Sequence, residues 1–239
     1  MLAVRKAEER GLGRTNWLDS RHTFSFANYY DPEQIGFSDL LVINDDRLQP
    51  RGGFGTHPHQ DMEIFSYVLD GSLEHKDSMG VGSVNHQGDI QMMSAGTGIH
   101  HSEFNASGSE GLRFLQIWIV PEKKGVTPRY HQKHFDNADK RGKFLLVISP
   151  DGEEGTLPIY QDAKVYAGLF DGDESATFAL PENRYAYVHV ARGRVNLNGK
   201  TLREGDGVRV CDERELKFDK GEGAEVLVFD LRPRELPDF

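Results

Sequence analysis

Glycine recurs at short intervals between short apolar runs, at Gly71, Gly80, Gly82, Gly88, Gly96 and Gly98, and again at Gly193, Gly199, Gly205 and Gly207. Such spacing suits strands of a few residues joined by tight turns, and it leaves little uninterrupted chain for helices. Representative segments are Glu63 to Leu69, ended by Asp70-Gly71; Leu112 to Val120, ended by Pro121; and Lys143 to Ser149, ended by Pro150-Asp151-Gly152. No stretch reads as a convincing amphipathic helix. The chain is expected to be all-β.

The second half repeats the grammar of the first. Tyr187 to Val195, with Gly193 inside it, echoes Phe65 to Leu73 around Gly71, and Leu202 to Val208 echoes Val84 to Ile90. A weak internal duplication of this kind predicts two tandem antiparallel β-barrels of one type. The polar stretch from Tyr130 to Arg141 interrupts the strand pattern and reads as a solvated linker. We therefore expect an N-terminal barrel over 1–130 and a C-terminal barrel over 131–239.

A formal charge of −10 with no basic run argues against nucleic-acid or anionic-membrane binding. The single cysteine, Cys211, excludes an internal disulfide framework, fits a reducing compartment and reads as a core residue. The first ten residues turn charged too early for a signal peptide, and no run approaches the roughly 18 apolar residues of a membrane span. A cytoplasmic location is expected. No phosphate-binding loop, dinucleotide fingerprint or serine-nucleophile elbow occurs.

The chemistry lies in two short motifs, His57-Pro58-His59 and His101-Ser102-Glu103. Side chains two apart on a strand point to the same face, so each motif places two ligand atoms on one wall. Two such walls brought face to face inside a small barrel would offer three imidazoles and one carboxylate to a transition metal. Pro58 biases His57 to extended backbone and has no N–H to donate, so this strand is an edge or is locally broken. His100 must face away from His101. Nine of the ten histidines precede residue 136, so a multi-histidine site belongs to the first half, and His189 stands alone in the second.

At these residues the chain resembles the pirin family of the cupin superfamily, and within it the bacterial quercetin 2,3-dioxygenase type. The most specific matches are Gly55-Thr56-His57-Pro58-His59 and Gly98-Ile99-His100-His101-Ser102-Glu103; others are Trp17 to Phe26, Asn44-Asp45-Asp46, His75-Lys76-Asp77-Ser78 and Gln116-Ile117-Trp118. The resemblance implies a bicupin fold of jelly-roll type in which His57, His59, His101 and Glu103 hold one metal in the first barrel. The wider cupin pattern also fits His57-x-His59-x3-Glu63, with flanking glycines displaced by one, and leaves Glu63 open as a neighbour of the ligands, a proton carrier or a fifth ligand. The donor set suits Fe, Mn, Co, Ni, Cu or Zn rather than Ca or Mg, and the resemblance favours iron.

What the resemblance implies about function is a metal-dependent dioxygenase that opens the central ring of a flavonol such as quercetin and releases carbon monoxide. Its partners would be a small aromatic substrate and dioxygen, and Glu103 would double as the catalytic base for the substrate hydroxyl. The alternative is a metal-containing, redox-responsive regulatory protein with a protein partner, since pirins are known in that role too. Other residues read as structural: His22 as a hydrogen-bonded histidine, His75 and His86 as turn neighbours without a role, His131 and His134 as linker residues, and Phe24, Phe26, Tyr29 and Tyr30 as packing.

Overall fold

The computed structural model describes residues 1–234. In the first half the strands are β1 (Leu2–Arg5), β2 (Gly11–Arg14), β3 (Leu18–His22), β4 (Leu40–Leu48), β5 (Gly53–His59), β6 (Glu63–Asp70), β7 (Ser72–Asp77), β8 (Gly82–His86), β9 (Asp89–Ser94), β10 (Ile99–Asn105), β11 (Leu112–Ile119) and β12 (Arg129–His134). In the second they are β13 (Phe144–Ser149), β14 (Leu157–Pro158), β15 (Lys164–Phe170), β16 (Ala176–Ala179), β17 (Tyr185–Leu197), β18 (Lys200–Arg203), β19 (Gly207–Val210) and β20 (Glu215–Leu231). Helix among the described residues is limited to Asn137–Lys140 and two single 3-10 turns. None of it is long and apolar enough to cross a membrane.

The strands form three sheets. A seven-stranded sheet runs β12-β9-β6-β11-β4-β3-β2, and a four-stranded sheet runs β5-β10-β7-β8. A nine-stranded sheet runs β1-β19-β17-β20-β15-β13-β14, with β16 on β20 and β18 on β17. Among the described residues no sheet's strand order returns to its start, so the halves are open, jelly-roll-like sandwiches rather than closed barrels. β1 pairs with β19, which carries the first residues of the chain into the sheet of the second half.

The polar stretch expected as a linker begins instead with a strand: β12 pairs with β9 over six residues and extends the seven-stranded sheet. The echo between Gly71 and Gly193 also resolves differently in the two halves. At Gly71 the chain turns from β6 into β7 and changes sheet, whereas β17 passes through Gly193 as one strand with register shifts on either side. Cys211 is only half-buried, because it lies just past the end of β19.

β6 and β11 are buried on both faces, which is why they read as nearly continuous apolar runs. One face, including Phe65, Tyr67, Leu115 and Ile117, packs against Tyr187, Leu227 and Phe229 of the second half. On the other face of β11, Phe114 and Trp118 belong to two small apolar clusters. Gln116, midway between them, is polar. The functional site occupies that polar interval.

Candidate metal centre

β5 and β10 are neighbours in the four-stranded sheet, with His101 directly opposite His57 and Ile99 opposite His59. The two motifs therefore do not face each other across a barrel; they lie side by side on one sheet, and the ring distances follow from strand spacing. Between His101 and Glu103 the register shifts by a bulge, so that Glu103 pairs with Phe54. Gly53 permits this close approach, because a Cβ there would lie 2.5 Å from the Glu103 carbonyl oxygen. At the other end of β10, Gly96 takes a positive φ of 49°, and a Cβ on it would meet the Val126 carbonyl. β5 is an edge strand, one of the two outcomes Pro58 allows. His100 is exposed and points away.

The rings of His57, His59 and His101 form a near-regular triangle with centroids 4.5, 4.8 and 4.9 Å apart. Nδ1 of His57 lies 2.8 Å from the Gly55 carbonyl, which can only accept, so the proton sits on Nδ1 and the Nε2 lone pair is free. That lone pair faces Nε2 of His101 at 3.0 Å. His101 is oriented by a chain running through His75: its Nδ1 lies 3.4 Å from Nδ1 of His75, whose Nε2 donates to Asp77 at 3.0 Å. Asp77 is fixed in turn by the backbone amides of Met79 and Val81. This order of donors leaves Nε2 of His101 unprotonated as well.

Two lone pairs directed at each other at 3.0 Å call for a cation between them. A proton does not serve at neutral pH, because burial, and then the neighbouring His57 and His75, push His101 down to about 3. Burial, His101 and His57 likewise push His59 down to about 3, and its buried Nε2 has no hydrogen-bond partner. Three neutral imidazoles with converging free nitrogens fit a transition-metal ion. The ring of His59 is held edge-on to Trp118 at 4.9 Å.

Glu103 is fully buried beneath the histidines and joins the two sheets of the first half. Its Oε1 accepts from Ser66 at 3.2 Å and Gln91 at 2.6 Å, and its Oε2 accepts from Gln116 at 2.7 Å. Gln91 is held at its other end by Asn85 and by the Tyr130 hydroxyl from β12. Among the described residues two groups of ligand-capable side chains occur: His57 with His59 and His101, and His75 with His101 and Glu103, so His101 is shared. Glu63 belongs to neither. Its Oε2 accepts from Ser94 at 2.8 Å and from the Tyr160 amide at 3.1 Å, which ties it to the second half, and burial raises its carboxyl above the usual range.

His75, expected to have no role, is completely buried, stacks on Tyr130 at 4.6 Å and aligns His101. The signal was present: His75-x-Asp77 has the same i, i+2 spacing as the two ligand motifs, and it lies on β7, next to β10. Gln116 carries no comparable signal, because a lone glutamine in an apolar run does not declare what it faces.

A cavity of about 340 Å³ opens onto His57 and His59, with walls that include Phe26, Phe54, Trp118 and Asp46. That is the low end of the usual size for small-ligand pockets, roughly 300–1,000 Å³. Phe26 thus lines the cavity, while Phe24 packs in the core and Tyr30 is exposed. His22 is buried and bonded to Asn44 at 2.8 Å, as expected, and it too borders the cavity. A larger cavity of about 510 Å³ lies against Arg129, Tyr160 and Asp162 but contains no imidazole.

A Pirin family profile matches residues 4–119, and one described as Quercetinase C-terminal cupin domain matches residues 146–231. A protein of Escherichia coli (strain K12) named quercetin 2,3-dioxygenase is 48% identical over 233 residues, 98% of this chain and 100% of that protein. The chain belongs to the pirin family. Among other pirins, a pirin-like protein of Caulobacter vibrioides is 40% identical over 231 residues, 96% of this chain and 99% of the other. The crystal structure of the Escherichia coli pirin YhhW in complex with nickel(II) superposes with a TM-score of 0.93 at 46% identity, covering 98% of this chain and 100% of that one. The all-β bicupin architecture expected of a pirin is the architecture observed.

Proposed function

We propose that this pirin is a metal-dependent dioxygenase that opens the central ring of a flavonol such as quercetin and releases carbon monoxide. The observation that carries the reading is the triangle of neutral imidazoles, with His59 Nε2 buried and unpartnered, at the wall of an aromatic-lined cavity. The quercetin 2,3-dioxygenase name of the Escherichia coli relative supports the reaction class. His57, His59, His101 and Glu103 are the proposed ligands of one divalent transition metal. Iron is the first candidate, and the nickel complex of YhhW makes nickel the second. The division into a metal-binding half over 1–130 and a metal-free half over 131–239 belongs to the same proposal.

A bound divalent ion would supply Lewis acidity, lowering the barrier to ionising a substrate hydroxyl. The chain's own residues do the rest. Phe26, Phe54 and Trp118 give a flat aromatic substrate apolar walls and exclude water from them. Asp77 and His75 hold His101 in the tautomer that keeps Nε2 free, and Ser66, Gln91 and Gln116 fix the carboxylate of Glu103. The reaction needs no outside reductant, since both oxygen atoms of dioxygen enter the ring-opened product and one substrate carbon leaves as carbon monoxide.

The test is to load purified protein separately with iron, nickel, manganese, cobalt, copper and zinc and to follow oxygen uptake and carbon monoxide release with quercetin. Both gases should change in step with at least one metal. No uptake and no carbon monoxide with any of the six would end this reading.

A further inference from the structure

Asp46 is an ionisable group in the cavity wall that the proposed metal site does not use. It lies on β4, 2% exposed, and its Oδ1 is buried without a hydrogen-bond partner. Neighbouring Asp45 is engaged by Arg113, which donates to its two oxygens at 2.9 and 3.0 Å. Strand alternation turns Asn44 and Asp46 together toward the cavity. A buried acceptor left unmade costs about 1–3 kcal/mol and is rare in folded proteins. Oδ1 of Asp46 is thus an acceptor with nothing bound to it, set just behind the surface of the cavity.

Glu103 is in the opposite condition. A carboxylate offers about four lone-pair positions, and Ser66, Gln91 and Gln116 occupy three of those on Glu103. The fourth is the one left for a metal. Glu103 has no remaining position from which to take a substrate proton, so the double role expected of it does not fit its hydrogen bonds.

We propose that Asp46 is the catalytic base of this site, accepting the proton of the substrate hydroxyl on its unpartnered Oδ1. This rests on the flavonol dioxygenase reading. The substrate O–H bond breaks, the proton passes to Oδ1, and the electron pair stays on the substrate oxygen; after ring opening the proton leaves with the carboxylic acid product. The groups around Asp46 are Ser20 on β3, Asp45 on β4 and Glu103 on β10, and Arg14, His22, His57 and His59 line the same cavity. Burial raises the Asp46 carboxyl to about 7, with Asp45 and Glu103 adding to the rise and a hydrogen bond from Ser20 opposing it. A base near the working pH is well matched to this transfer.

The test uses metal-loaded protein and quercetin as the probe, comparing wild type with Asp46→Asn and Asp46→Ala. Under anaerobic conditions quercetin bound to wild type should show the long-wavelength absorption of its anion, whereas quercetin bound to Asp46→Asn should keep the spectrum of the neutral form. In air, kcat should fall about 100- to 10,000-fold in both variants, the range for loss of a general base, with KM and metal content little changed. Acetate should restore part of the lost rate in Asp46→Ala. The anion spectrum and a wild-type kcat in Asp46→Asn would overturn the assignment even if oxygen uptake stands. If wild type binds quercetin as the anion and consumes no oxygen, the dioxygenase reading fails while Asp46 keeps its role as proton acceptor.

Discussion

The two halves of the molecule are built from the same kind of strands and glycine turns, yet they enclose opposite interiors. The second half is filled by Phe170, Val188, Val190, Val195, Leu202 and Phe218 with their apolar neighbours, one packed hydrophobic cluster. The sandwich of the first half has apolar clusters at its two ends and four histidines, a glutamate and two glutamines between them. Burying polar groups costs stability unless each is hydrogen-bonded. The polar interior of the first half keeps several buried atoms without a hydrogen-bond partner, among them Nε2 of His59, Oδ1 of Asp46, Oδ1 of Asn85 and Nε1 of Trp118.

His189 is the instructive exception. It lies on the face of β17 opposite to Val188 and Val190, completely buried, and neither ring nitrogen has a partner. Arg10, Asp45, Arg113 and Asp206 are the charges around it, all within the contact between the halves. It belongs to the joint rather than to either interior. Asp45 and Arg113, on neighbouring strands of the first half, form a buried pair at this joint, and Arg113 crosses it by donating to the Ala191 carbonyl at 3.0 Å.

The comparison can be broken by removing what is unique to each region. The largest effect is expected from His101→Ala, which takes away the residue shared by both ligand groups and should abolish stoichiometric metal binding, whereas His189→Ala should keep it; elemental analysis after dialysis reads both. Next comes the joint: Asp45→Ala removes the bidentate partner of the buried Arg113 guanidinium, leaving it only Glu204 at 3.0 Å, and should lower unfolding free energy by up to about 3 kcal/mol, measured by urea denaturation. A change confined to the second half's unfolding would show that the halves do not fold as one unit.

Smaller effects sharpen the picture within the first half. Asp77→Asn loosens the alignment of His75 and His101 without touching a proposed ligand and should weaken metal affinity roughly 10- to 100-fold, as read by competition with a chelator. Unchanged affinity would mean that His101 needs no alignment. The smallest effect concerns protons. His59, His101 and His189 sit near 3 in the folded chain, mainly through burial, against about 6.5 when unfolded. Between those values the unfolded chain binds protons that the folded chain does not, so stability is full above pH 6.5 and is lost as pH falls below it. For His189 alone the loss from pH 7.5 to 5.5 is about 1.4 kcal/mol. Denaturation of metal-free His189→Leu at both pH values should show a correspondingly flatter dependence than wild type.

The sequence by itself determined the all-β class, the pairing of His57 with His59 and of His101 with Glu103, the choice of an edge or a break for the strand that holds Pro58, and the confinement of the histidine cluster to the first half. Each of these follows from local rules: glycine spacing, the two-residue period of a strand, and the missing N–H of Pro58. Only the tertiary structure decided that the two motifs lie side by side, that a bulge carries Glu103 down onto Gln91 and Gln116, and that His75, Asp77 and Tyr130 stand behind the ligands. The physical reason is that a period of two fixes which side chains share a face but not which strand lies next to it. Register and sheet order come from hydrogen bonds between residues tens of positions apart, and those contacts also decided that Glu103 accepts three hydrogen bonds while Oδ1 of Asp46 accepts none.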